Sequence, residues 1–219
     1  ALLGQRVDGI VRPGLAPQFH PLAPQQAAAA REQLARRGIV PPYLLSVGTL
    51  EPRKNVALLL HAFLDLKRSG QLPGYQLVLA GARGWPNRGL ERELVEARSQ
   101  GVVVPGFVPD ALMPALYGLS EALALPSIYE GFGMPALEAR ACGSRVIVAD
   151  VPELREAAGP RAVVVDPTLP ALRQGILDAL ATPRLQDSGL AEQHAWWRAA
   201  QRLARLLALP APQTSPRAA

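Results

Sequence analysis

"YLLSVGTLEPRKNVALLLHAFLDLKRSG", residues 43–70, opens with a short apolar run that ends at Gly48. From Asn55 its apolar residues recur at helical spacing until Gly70 stops them. The stretch therefore reads as a strand followed by a helix. The same pair returns as YQLVLAG (75–81) with GLERELVEARSQG (89–101), and as VVVPG (102–106) with DALMPALYGLS (110–120). It returns again as EALALPS (121–127) with PALEARACG (135–143), RVIVAD (145–150) with VPELREAAG (151–159), and RAVVVDP (161–167) with LPALRQGILDALA (169–181). Strands that are apolar on both faces and separated by helices need a parallel sheet covered on both sides. The pattern predicts a doubly wound parallel α/β domain over residues 41–183, with ligands bound beyond the carboxyl ends of its strands.

The flanks read differently. Residues 1–40 include the proline-rich VRPGLAPQFHPLAP (11–24) with no clear period, which predicts a linker or docking segment. Residues 184–209 predict one amphipathic return helix, LAEQHAWWRAAQRLARLLA (190–208), and residues 210–219 a disordered tail. The chain begins without methionine and is expected to be a fragment whose preceding half is absent.

Composition narrows the function classes. The chain has 219 residues, 49% of them hydrophobic, enough for a sizeable core, and no apolar run long enough to span a bilayer. A cytoplasmic location is expected, with peripheral attachment at the inner membrane face as a variant of it. The single Cys142 excludes an internal disulfide and reads as a small buried residue at a helix end. A net charge of +5 and a pI near 10.0 come mostly from scattered arginines, which favour anionic ligands or an anionic membrane surface. Nucleic acid is not expected as a partner, because aromatic residues are only 5% and no basic run interleaves with them.

The chemistry concentrates in SIYEGFGMPALEARACG, residues 127–143. Pro135 suits the first turn of a helix, and the glycines before it let backbone approach a ligand closely. Free N–H groups near Gly133, Met134, Ala136 and Leu137, with the helix dipole, would form an anion site suited to a diphosphate. Glu130 precedes this turn and Glu138 lies within the helix, so the two can reach different parts of one ligand. Carboxylates accept hydrogen bonds from sugar hydroxyls. A glutamate pair beside an anion cradle points to a ligand with both phosphate and hydroxyls. A glycosidase also needs two carboxylates, flanking the bond it cleaves, but not a phosphate cradle. His20, His61 and His194 are isolated and no Asp-x-Asp pair is present, so metal ligands and a cofactor are not expected. The first strand runs into GTLEPRKN and not G-x-G-x-x-G, which argues against a dinucleotide oxidoreductase.

SIYEGFGMPALEARACGSRVIVAD resembles the E-x7-E signature of retaining GT-B glycosyltransferases of family four, and SVGTLEPRKNVALLLHAF resembles that family's nucleotide-diphosphate loop. LVLAG, VVVPGFVPDALMPALY and VRPGLAPQF fall in the family's order and spacing. The resemblance implies the C-terminal, donor-binding half of a GT-B enzyme, with the N-terminal acceptor-binding domain as its missing partner. It implies that Glu138 holds the ribose hydroxyls, Glu130 the transferred sugar, and backbone N–H groups around Phe132, Gly133 and Met134 the diphosphate. Lys54 matches the family's diphosphate lysine; many members have arginine where this chain has Thr49, and Arg53 is the candidate replacement charge. Gly81, and Phe107 with Val108, are expected beside the donor, while Trp196 and Trp197 read as packing residues. GTLEPRKN is similar to mannosyltransferases of polysaccharide assembly. The implied donor substrate is GDP-mannose or another nucleotide-sugar, the acceptor a glycan or lipid-linked glycan, and the alternative a nucleotide-sugar binding module without activity.

Overall fold

The computed structural model describes residues 9–82, 84, 88–184 and 190–207. The tail expected at 210–219 and Arg83 of the AGARG stretch lie outside the described residues. Six apolar runs form strands: β1 (Tyr43–Val47), β2 (Gln76–Ala80), β3 (Val102–Gly106), β4 (Ala122–Leu125), β5 (Arg145–Ala149) and β6 (Val163–Val165). All pair in parallel, in the order β3-β2-β1-β4-β5-β6. Helices precede, connect and follow them: α1 (Pro24–Ala35) comes before β1; α2 (Val56–Arg68), α3 (Arg88–Glu96), α4 (Met113–Leu119), α5 (Met134–Ala141) and α6 (Pro152–Ala158) join successive strands; α7 (Leu169–Ala181), α8 (Leu190–Gln193) and α9 (Trp196–Leu206) come after β6.

Successive strand side chains point to opposite faces, and both faces are buried. Leu45, Val78, Leu123 and Val148 share one core with α4, α5, α6 and the segment carrying Leu15 and Phe19. Leu44, Leu77, Leu79 and Ile147 share the other with α2 and α7. Helix α2 presents Val56, Leu59, Leu60, Phe63 and Leu66 to that second core, the spacing of one helical face. The doubly wound parallel sheet read from the sequence is borne out.

The strand order positions the site. The chain starts at the centre with β1, winds outward to β3, and returns to lay β4 against the other side of β1. The helices that follow these two central strands, α2 and α5, pack on opposite faces. Their loops therefore diverge and leave a crevice at the carboxyl ends, the place where open α/β sheets bind ligands.

Three local readings differ from the structure. Within the segment read as a linker, residues 24–35 form α1, which buries Ala30 and Leu34 and packs on α4. Its run of alanines has high helix propensity but little apolar period. The stretches expected as single helices at 89–101 and 110–120 each contain a 3-10 turn, Ala97–Gln100 after α3 and Asp110–Leu112 before α4. The expected single return helix breaks between α8 and α9: Leu15 N–H donates to the His194 carbonyl at 2.6 Å, and Leu15 pairs with Ala195 as an isolated parallel bridge. That pairing holds Ala195 extended, at φ −57° and ψ 144°. Among the described residues, no helix is long and apolar enough to cross a membrane.

Candidate functional site

The loop after β1 makes a 3-10 turn, Pro52–Lys54, and enters α2 through Asn55 in the left-handed region, at φ 52° and ψ 39°. The loop after β4 enters α5 through Gly133, at φ 90°. A backbone hydrogen bond of 2.8 Å from Ile128 N–H to the Arg53 carbonyl ties the two loops together. Gly48 ends β1 at φ 144°, and a Cβ there would sit 3.1 Å from Lys54 Cε. The missing side chain thus lets Lys54 lie across the strand end.

Lys54 reaches Glu130: its Nζ donates to Oε1 at 2.6 Å. Ser127 Oγ donates to the same oxygen at 2.8 Å, and Arg53 Nη1 to Oε2 at 3.1 Å. Arg53 Nε also donates to Glu51 at 2.8 Å, so this half-exposed guanidinium is held toward the site from both sides. Glu130 is only 5% exposed. Burial by itself would raise its pKa, but the hydrogen bonds from Lys54 and Ser127, with the Lys54 charge, hold it below the usual 4.5. Three sequence-predicted residues, Lys54, Arg53 and Glu130, therefore converge on one contact.

Beside this contact a cleft of about 490 Å³ opens over the ends of β1, β2 and β3, lined by Gly48, Thr49, Gly81, Phe107, Val108, Asp110 and Glu138. Gly81 has φ 146°, and a Cβ on it would lie 2.2 Å from the Gly48 carbonyl oxygen, so only glycine permits this crossing of the two loops. Val108 is buried in the wall, and Phe107 is exposed on the rim. Glu138 accepts a hydrogen bond of 2.7 Å from the Tyr117 hydroxyl. Burial raises the Glu138 pKa above 4.5, against the Tyr117 hydrogen bond, and nearby Asp110 raises it further.

The two glutamates thus carry opposite linkage. Glu138's contribution to stability is fully present below its unfolded value of 4.5 and is lost as pH rises through its raised folded value. Glu130's depressed pKa gives a contribution present above 4.5 and lost as pH falls through its folded value. Glu138→Gln should therefore melt higher than the wild type at pH 8, with the gap closing toward pH 4. Melts showing a constant gap across that range would remove Glu138 as its source.

At the start of α5 the backbone corrects one expectation. Ala136 N–H donates to the Gly133 carbonyl at 2.9 Å and is not free for an anion. Among the described residues, no hydrogen bond from the chain occupies the N–H groups of Phe132, Gly133 or Met134. The Phe132 ring packs against the core, and Phe132, Gly133 and Met134 are not among the residues that line the cleft.

Ser127 and Tyr117 are functional candidates that sequence reasoning missed. Ser127, fully buried, stands three residues before Glu130 in the same motif, a spacing that could have marked it. Tyr117 carries no such signal, being 21 residues from Glu138 on the preceding helix. His61 is exposed and bonded to Glu93, and Trp197 lies under the Arg198 guanidinium at 4.7 Å. Cys142 is buried at the end of α5, which pushes its thiol up to about 12. Among the described residues, no group of three or more His, Cys, Asp or Glu side chains is placed to hold a metal ion.

The family model described as "Glycosyl transferases group 1" matches residues 31–201, which include both site loops and most of the cleft lining. The chain belongs to that family. It is 39% identical over 150 residues to an O-antigen chain mannosyltransferase B of Escherichia coli, covering 68% of this chain and 38% of that protein. It is 34% identical over 196 residues to a D-inositol 3-phosphate glycosyltransferase of Salinispora arenicola, covering 83% of this chain and 42% of that protein. The chain thus spans about two-fifths of the length of these curated relatives. Among solved structures, sucrose-phosphate synthase from Thermosynechococcus elongatus aligns with a TM-score of 0.71 and 28% identity over 90% of this chain and 51% of that one. Anabaena Alr3699/HepE in complex with UDP-glucose aligns with a TM-score of 0.76 and 20% identity over 94% and 59%, a likeness of fold. The GT-B glycosyltransferase resemblance is borne out by the family match and these relatives.

Proposed function

We propose that this chain is the donor-binding half of a retaining glycosyltransferase that moves mannose from GDP-mannose to a glycan or lipid-linked acceptor, without a metal ion. The observation that carries the reading is the meeting of Lys54, Arg53 and Glu130 at the switch point of the sheet, with the cleft of Glu138 alongside. In this reading Lys54, Arg53 and the α5 backbone hold the diphosphate, Glu138 the ribose, and Glu130 the sugar. Cleaving a sugar–diphosphate bond builds negative charge on the leaving phosphates and positive charge at the anomeric carbon. Fixed cations and backbone dipoles at the phosphates, with a carboxylate near the sugar, meet that demand. The mannose donor follows from the similarity to the O-antigen mannosyltransferase. The acceptor-binding half lies outside this chain in this reading, and the basic surface suits work beside an anionic membrane.

Titration calorimetry with EDTA present tests the donor reading. GDP and GDP-mannose should both bind, and GDP should bind more tightly than UDP. Absence of heat from all guanosine and uridine ligands would overturn it.

A further inference from the structure

We infer that Tyr117 is a positioning residue for the cleft glutamate: its buried hydroxyl fixes Glu138 Oε2 and keeps the carboxylate an acceptor toward the nucleotide. The inference rests on the reading of Glu138 as the group that holds the ribose.

Tyr117 is fully buried on α4, with the ring of Phe19 edge-on against it at 6.0 Å between centroids and 65° between planes. The ring is therefore fixed by packing, and its hydroxyl position follows from the fold. That hydroxyl donates to Glu138 Oε2 at 2.7 Å, and among the described residues it has no other hydrogen-bond partner. Glu138 lines the cleft, and an ionised carboxylate has about four acceptor positions, of which Tyr117 takes one. The remaining positions suit a pair of neighbouring hydroxyls.

A carboxylate serves this purpose only while ionised, and most of its surroundings oppose that. Burial disfavours its charge, as does Asp110 in the 3-10 turn before α4. Cys142, on the C-terminal side of α5, is neutral across the physiological range because burial pushes its thiol up to about 12. No titratable group on β4, β5 or α6, the other elements packed on α5, adds to this balance among the described residues. The Tyr117 hydrogen bond is the opposing influence, since a hydrogen bond donated to the charged form favours that form. Tyr117 can keep donating, because burial and the adjacent Glu138 push its own pKa well above 10.

The test is the pH dependence of GDP affinity in the wild type, Tyr117→Phe, Glu138→Gln and Glu138→Ala. Wild-type affinity should fall on the acid side as Glu138 takes up a proton. Tyr117→Phe keeps the ring and the packing; it should move the midpoint of that fall to higher pH and weaken binding above it by about threefold to tenfold. In Glu138→Gln the acid limb assigned to Glu138 should vanish, and adding Tyr117→Phe should restore no pH dependence. The terminal phosphate of GDP titrates alike in every arm and cancels. A Tyr117→Phe midpoint equal to wild type, with binding uniformly weaker or unchanged, overturns the inference and leaves Tyr117 a packing residue. A partly destabilised variant remains informative once its folded fraction is measured at each pH and the affinity is referred to the folded protein, because stability itself varies with pH. Unchanged GDP affinity in Glu138→Ala overturns the ribose reading itself, and so separates the two failures.

Discussion

Replacing Lys54 with alanine should lower the rate of sugar transfer by about 10²- to 10³-fold, the scale of losing one preorganised group that meets charge developing in the transition state. The Lys54 ammonium is one of two side-chain cations in the contact around Glu130, and it is the more enclosed, at 11% side-chain exposure against 42% for Arg53. Arg53 is shared with Glu51 and cannot move fully into the gap. The substitution also leaves the buried Glu130 with only Arg53 and Ser127 as partners, which should cost about 1–3 kcal/mol of stability. Initial rates in the catalytically complete protein, read beside the thermal midpoint, separate the two effects. A rate within twofold of wild type would show that Lys54 does not face the leaving phosphates.

Glu130→Ala should lower transfer by about 10²-fold or more if, as proposed, the carboxylate contacts the sugar, because such a contact strengthens as charge develops there. Its effect on binding should be unusual. GDP affinity should be equal or tighter, since the carboxylate that occupies Lys54 and Arg53 is gone, while GDP-mannose should lose affinity relative to GDP. Glu138→Ala should instead weaken both ligands alike, by about 1–3 kcal/mol for hydrogen bonds to a charged group. Paired titrations with GDP and GDP-mannose on each variant decide the matter. Equal losses for both ligands in Glu130→Ala would return Glu130 to the role of a loop charge.

The fold was legible because apolar runs such as YLLSV and helical spacing such as that of α2 are local signals, and both survive in the structure. The site motifs were legible for the same reason, since Gly133 and Pro135 mark a helix entry within a few residues. What could not be read was contact across the chain. Lys54 and Glu130 lie 76 residues apart, and only the return of β4 beside β1 brings them to 2.6 Å. Tyr117 is invisible for a related reason, as nothing in DALMPALYGLS says which of its residues will face the next helix. Helix α1 escaped because alanine supplies propensity without a pattern, and its burial depends on α4 arriving to cover it. The break before α9 escaped because it is imposed by Leu15, far away in sequence.

Under the proposed function, the contact between Lys54 and Glu130 would also act as a filter. An incoming anion must compete with a carboxylate already seated 2.6 Å from the ammonium. In that reading, inorganic phosphate would take Lys54 from a buried carboxylate and bring no sugar hydroxyls to replace it. A nucleotide-sugar would bring both halves of the exchange, phosphates for the lysine and hydroxyls for the glutamate. A site built this way would respond to the coincidence of phosphate and sugar in one molecule. In the proposed reaction, transfer would break that coincidence: the nucleoside diphosphate would keep its charge without the sugar, Glu130 would regain Lys54, and the spent donor would leave.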